Sequence, residues 1–206
     1  MRSAAEFAVA AGVLTLLPGP DTLLTLRAAL AAGRTQAGAA AAGICTALLG
    51  WGVAAGLGLA AALAASPSLY VALRWTGAAY LAFLGLRAIL VGSRWPDARE
   101  AADGPAARSL GPSYLRGVAT CALNPKVGAF YVALFPQFIP AGAGVLGYSV
   151  LLAAIHVAET MLWLIAVSLL AVRLGRLLRR REARRWADRL SGAAFVAFAA
   201  RLATGG

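Results

Sequence analysis

Residues 114–138 read YLRGVATCALNPKVGAFYVALFPQF, an apolar run as long as a membrane span with the polar tripeptide Asn124-Pro125-Lys126 in its middle. At ~1.5 Å of rise per residue, about 20 apolar residues cover a ~30 Å hydrocarbon core. Proline cannot donate a backbone hydrogen bond and its ring clashes with the preceding turn, so the helix is expected to break at Pro125. Asn-Pro is also a start signal, an N-cap followed by proline at the first helical position. The stretch therefore predicts two half-helices, the second opening inside the membrane. Lys126 is the only lysine among the 19 basic residues, and the other eighteen are arginine. Codon bias could leave one lysine by chance. Its place at a helix start within a span argues instead for a compact ammonium on a flexible stem, which a guanidinium does not replace.

The rest of the chain fits a membrane setting. Its 206 residues are 61% hydrophobic and 13% charged, with mean hydropathy +0.76. Strand alternation is absent, which predicts an all-α integral membrane protein. The net charge of +11 would suit nucleic acid, but the arginines flank apolar spans instead of forming a polar domain. The positive-inside rule accounts for them, and no nucleic-acid partner is expected. Cys45 and Cys121 lie in apolar runs without C-x-x-C spacing and read as small buried hydrophobes. With no Walker-type loop, transport would be secondary and not ATP-driven; neither a cofactor nor an enzymatic activity is expected.

Six spans can be marked. The first, 4–30, is interrupted by Pro18-Gly19-Pro20-Asp21; Arg2 alone makes a poor basic region, and Pro-Gly-Pro stands where a signal peptide would have its cleavage site. The second, 38–65, carries Gly52, Gly56, Ala60 and Ala64 at four-residue spacing, a small-residue face for close helix packing. Ser66-Pro67-Ser68 turns into the third, 69–91. Residues 93–112, with three prolines and charges of both signs, read as a cytoplasmic linker between repeats 1–92 and 113–206. The fourth is 114–138, the fifth 148–172, and the sixth 190–203. Between the last two, the run from Arg173 to Arg189 holds eight arginines against Glu182 and Asp188, a juxtamembrane segment suited to anionic headgroups. If the connections after spans one, three and five face the cytoplasm, fifteen arginines lie there against Arg2, Arg74 and Arg201 opposite, so both termini should face outward.

The halves resemble each other. Thr76-Gly77-Ala78-Ala79-Tyr80-Leu81-Ala82-Phe83 aligns with Ser191-Gly192-Ala193-Ala194-Phe195-Val196-Ala197-Phe198, and Pro20 and Pro125 fall at corresponding depths. Three spans per copy is an odd number, which predicts two inverted three-helix repeats, with helices 1 and 4 broken at the proline motifs. Each second half-helix, after Gly19-Pro20 and Asn124-Pro125, would point unpaired N–H groups at the midplane, where with Lys126 they suit a carboxylate. Asp21 either complements its own helix dipole, pairs with Lys126, or takes a substrate ammonium or a proton. Glu159, in the middle of span five, has no dipole to answer and is a candidate proton site or amine partner. His156, three residues earlier on the same face, is either a proton-coupling group or a hydrogen-bonded interior histidine; His-x-x-Glu alone has too few ligands for a metal.

Taken together, Pro18-Gly19-Pro20-Asp21, Gly77-Ala78-Ala79-Tyr80-Leu81 through Gly85-Leu86-Arg87, Gly117 before Asn124-Pro125-Lys126, and Phe135-Pro136-Gln137-Phe138 resemble the LysE/RhtB family of amino-acid exporters. The resemblance covers essentially the whole chain. It implies a six-span bacterial inner-membrane transporter that exports amino acids or their derivatives by proton antiport. The substrate-binding residues then expected are Pro18, Gly19, Pro20, Asp21, Asn124, Pro125, Lys126 and Glu159, with Asp21, Glu159 and His156 coupling protons. Expected partners are a zwitterionic small molecule, protons, anionic lipid, and further copies of the chain as a homo-oligomer. Ala199-Ala200 departs from the family, which tends to have glycine there as at Gly85, and this bears on helix packing only. Two rival classes stay open: a cation or metal exporter using Asp21, Glu159, His156 and the cysteines, and a membrane thiol relay through Cys45 and Cys121.

Overall fold

The computed structural model describes residues 4–65, 67–91, 109–140, 142–173 and 181–203. All regular structure among them is helical, because a backbone in hydrocarbon must satisfy its own hydrogen bonds. Helices α1 (Ala4–Leu16) and α2 (Pro20–Ala32) form the first broken pair, bent by 53°. The second pair joins α5 (Gly111–Ala122) to α6 (Pro125–Ala129), which runs on through a π turn, Phe130–Leu134, and a 3-10 turn, Phe135–Phe138; its bend is 46°. Pro20 and Pro125 each occupy the first turn of the second half-helix, where a missing N–H costs nothing. Pro136 cannot donate to Val132, and there the ladder loosens and then stops at Ile139.

The unbroken helices are α3 (Arg34–Ala65), α4 (Pro67–Leu90), α7 (Val145–Leu169) and α8 (Arg181–Ala203). Helix α3 packs against α5 and α7, α4 packs along α8, and α1 lies on α7. Small residues set these crossings, as helix association in lipid requires. A Cβ on Gly43 would run into Tyr114 O, and one on Gly117 into Ala40 O, so α3 and α5 touch backbone to backbone. At the α4–α8 crossing a Cβ on Gly85 would lie 2.8 Å from Gly192 O, and one on Gly192 2.6 Å from Gly85 O. Gly52 and Gly56 abut Ala153 and Ser149 of α7; the side chains of Ala60 and Ala64 lie outside the described residues.

Between the broken pairs lies an aromatic core. Phe7 of α1 packs on Phe130, Phe135 and Phe138, with centroids 5.7, 5.5 and 5.4 Å away, and Tyr131 stacks on Trp51 of α3. The π turn thus delivers two adjacent rings, Phe130 and Tyr131, to the buried side.

Two expected boundaries move. Gly111 and Pro112, expected in the linker, open α5, since proline suits a first turn; residues 93–108 lie outside the described ones. Span six, expected from residue 190, belongs to a helix that already begins at Arg181. There Ala187 and Asp188 are buried while Arg185, Trp186 and Arg189 are exposed, so the end of the arginine run is one face of an amphipathic helix. By length and composition, Arg34–Leu59 and Val145–Leu169 can each cross a membrane, and so can each bent pair taken as one span. Helix α4 has a shorter apolar segment, Trp75–Leu90, and α8 does not meet the test, so length and composition alone do not reach the expected six.

Candidate functional site

The two breaks meet, and their backbone accounts are settled differently. In a continuous helix the N–H of residue 18 would bond Leu14 O, but Pro18 has none. Helix α1 closes with Leu17 N–H on Val13 O at 3.2 Å, leaving the carbonyls of Leu14 and Leu17 to be answered from elsewhere. Lys126 answers both: its Nζ donates to Leu14 O and to Leu17 O, each at 2.8 Å. Gly19 lies alongside, a Cβ there being 3.4 Å from that nitrogen, within van der Waals contact. The expected positive charge near the breaks is present, but it caps the C-terminal end of α1, where the helix dipole is negative.

The second break satisfies itself. Cys121 O, which Pro125 cannot serve, accepts from Asn124 N–H at 3.1 Å, and Asn124 Oδ1 accepts from Lys126 N–H at 3.0 Å as an N-cap. The start of α6 is therefore capped. The start of α2 has no side-chain cap; Gly19 enters it extended, and Leu23 N–H bonds Gly19 O at 3.0 Å. One hydrogen bond ties the motifs together: Asn124 Nδ2 donates to Asp21 Oδ2 at 3.0 Å. The other oxygen, Asp21 Oδ1, is buried without a hydrogen-bond partner.

Around this junction lies a cavity of about 20 Å³, where Thr15, Asp21, Lys126, His156 and Thr160 share the walls with apolar side chains such as Leu14 and Leu48. That volume holds about one water. Helix α7 contributes one face at i, i+4 and i+7. His156 Nδ1 meets Tyr131 OH at 3.1 Å, Thr160 Oγ1 meets Thr15 Oγ1 at 3.4 Å, and Trp163 Nε1 donates to Thr22 Oγ1 at 3.2 Å. A second pocket of about 400 Å³, within the usual size range of ligand sites, opens on the far side of the second break. Trp51, Thr76, Gly77, Tyr80, Asn124 and Pro125 are among its walls.

Of the residues expected at the site, Gly19, Asp21, Lys126 and His156 share the cavity. Pro18 and Pro20 flank the first break, Pro125 faces the outer pocket, and Asn124 reaches both sides. Glu159 does not join them. It turns from the His156 face toward α1, with Oε1 3.8 Å from where a Cβ on Gly12 would stand and Oε2 buried without a partner. Asp21 and Lys126 line one cavity without bonding each other directly. Thr15, Thr22, Thr160 and Tyr131 were not anticipated; the spacing of Thr160 and Trp163 from His156 was the available signal. Among the described residues no three His, Cys, Asp or Glu side chains cluster as metal ligands, and Cys45 and Cys121 are free and buried.

Comparison with known proteins identifies a family. Residues 13–206 match the family model described as LysE type translocator. The chain is 30% identical over 205 residues to a leucine efflux protein of Klebsiella pneumoniae, covering 96% of this chain and 93% of that one. It is 34% identical over 198 residues to an uncharacterized membrane protein of Pseudomonas aeruginosa, at 92% and 89% coverage. To an uncharacterized membrane protein of Bacillus subtilis it is 30% identical over 169 residues, at 79% and 80%. No solved structure matches. Apolar helices broken at paired proline motifs and a family match from residue 13 to the last residue lead to one conclusion: the chain belongs to the LysE type translocators, and is a membrane transporter of a small molecule.

Proposed function

We propose that the protein exports a small amino acid or amino-acid derivative across the bacterial inner membrane by proton antiport. The observation that carries this reading is the junction of the breaks, where the uncapped start of α2, the Lys126 ammonium and the Asp21 carboxylate share one small cavity. Open N–H groups beside an ammonium suit a substrate carboxylate, and a buried carboxylate with one unpartnered oxygen suits a proton. The mostly apolar outer pocket fits an aliphatic side chain, in keeping with the leucine efflux relative. Asp21 is the proton site of first choice and Glu159 the second, with His156 held by Tyr131 in a supporting place.

The same reading takes the chain as six spans in two inverted repeats, 1–92 and 113–206, with both termini outside and the run from Arg173 to Arg189 on anionic lipid of the cytoplasmic leaflet. The packing of α3 on α7 and of α4 on α8 supports it, since those are the pairs the repeat makes counterparts. The deciding experiment loads cells with a panel of radiolabelled amino acids and follows efflux with and without an uncoupler. Faster efflux of at least one aliphatic amino acid, abolished by the uncoupler and by Asp21→Asn, is the expected result. Efflux equal to that of cells lacking the protein across the whole panel would reject the reading.

A further inference from the structure

We propose that the carbonyl oxygens of Leu14 and Leu17 form a seat for one primary ammonium group, filled by Lys126 in the unloaded protein and by the substrate's own ammonium when a zwitterion enters. This use of the seat rests on the export reading above; the seat itself does not. Its geometry is that of an ammonium site, two carbonyls each 2.8 Å from one nitrogen. They lie at the negative end of α1, freed because Pro18 has no N–H and the chain leaves the helix. The occupant is tethered by a flexible stem and lies against Gly19, where no side chain traps it.

Lys126 therefore has two places to go within one cavity. Toward α1 it meets carbonyls, and toward the start of α2 it meets uncapped N–H groups, which attract an anion but not a cation. A zwitterion can insert between them. Its carboxylate takes the α2 start together with Lys126, and its ammonium takes the two carbonyls that Lys126 leaves. The exchange changes no net charge. An amine without a carboxylate would put two cations side by side, and an acid without an amine would leave the carbonyls bare. The seat thus makes the site demand both ends of the substrate. The cavity of about 20 Å³ holds one water as it stands, so entry requires the two breaks to part.

The test uses the purified full chain in detergent and follows thermal unfolding of the parent and of Lys126→Ala, which vacates the seat. Probes are methylammonium, tetramethylammonium, which has no N–H to donate, and sodium. Methylammonium should raise the melting temperature of Lys126→Ala by about 3 °C at ten times its dissociation constant, and leave the parent unchanged. Tetramethylammonium and sodium should do neither. A second variant guards against a Lys126→Ala protein too unstable to purify, because it should then yield folded protein where the single variant does not, and equal failure of both would overturn the seat. In Pro18→Ala/Lys126→Ala the restored N–H of residue 18 can bond Leu14 O, so the double variant should melt higher than Lys126→Ala and respond less to methylammonium. An equal methylammonium response in parent and Lys126→Ala, an equal response to sodium, or no gain from Pro18→Ala would each overturn the seat. Because no transport is measured, absent export beside a methylammonium shift rejects the export reading alone, and export without the shift rejects the seat alone.

Discussion

At the scale of single residues the junction depends on two side chains from one tripeptide. Asn124 caps α6 through Oδ1 and holds Asp21 through Nδ2, so Asn124→Ala removes two hydrogen bonds at once. It should cost about 2 kcal/mol of stability, read as a lower unfolding midpoint, with export falling alongside. Lys126→Arg should insert normally yet export poorly. The ammonium sits between two carbonyls with Gly19 against it, and the larger planar guanidinium does not fit that space. Export by Lys126→Arg at the parent rate would reduce the lone lysine to codon history. That Lys126 would stand at the second break was legible in its place after Asn124-Pro125, but its target was not. The sequence shows that Pro18 strands a carbonyl; it does not show which of the distant side chains will reach it. Glu159 illustrates a related limit. Spacing from His156 allowed a shared face, and only packing against Gly12 turned it to α1.

At the scale of elements, both breaks were readable because proline chemistry is local, and Pro20 and Pro125 do open the second half-helices. Their inequivalence was not readable, because it depends on which break finds a cap. Asn124 supplies one for α6, while Gly19 has no side chain to offer α2. Removing proline should therefore act unequally. Pro20→Ala should lower affinity for the carboxylate of a substrate well below that of Pro125→Ala, since the open N–H groups stand at the α2 start. Equilibrium binding of an exported amino acid and its decarboxylated amine to the purified variants checks this, and an equal loss in both would restore a symmetric site. Packing gives a second expectation. Gly85→Leu places side-chain atoms against the Gly192 carbonyl of α8, a backbone group that cannot swing away. The cost should be about 3 kcal/mol, seen as loss of folded protein on size exclusion, whereas Gly58→Leu, with open space around it, should be tolerated.

At the scale of the whole molecule the open quantity is how many times the chain crosses. A bent pair can be one broken span or a re-entrant loop, and helix geometry permits both for α1–α2 and for α5–α6. On the reading proposed above both pairs span, which puts residues near 101 and the run from Arg173 to Arg189 on one side, away from the N-terminus, in keeping with the positive-inside rule. The native thiols are buried, so cysteines introduced at Ser3, Ala101 and Leu178 can be read against a quiet background with a membrane-impermeant maleimide on intact cells. Ser3→Cys should be labelled from outside, and Ala101→Cys and Leu178→Cys only after the membrane is opened. Each other pattern has its own meaning. A re-entrant α1–α2 puts positions 3 and 101 on the same side, because only α3 and α4 then cross between them. A re-entrant α5–α6 puts 101 and 178 on opposite sides, because α7 alone would separate them. Either result breaks the odd number of crossings per half on which inversion rests, and with it the approach of two half-helix starts from opposite faces. The expected pattern keeps both, with the Asn124–Asp21 bond one of the contacts that join the two repeats.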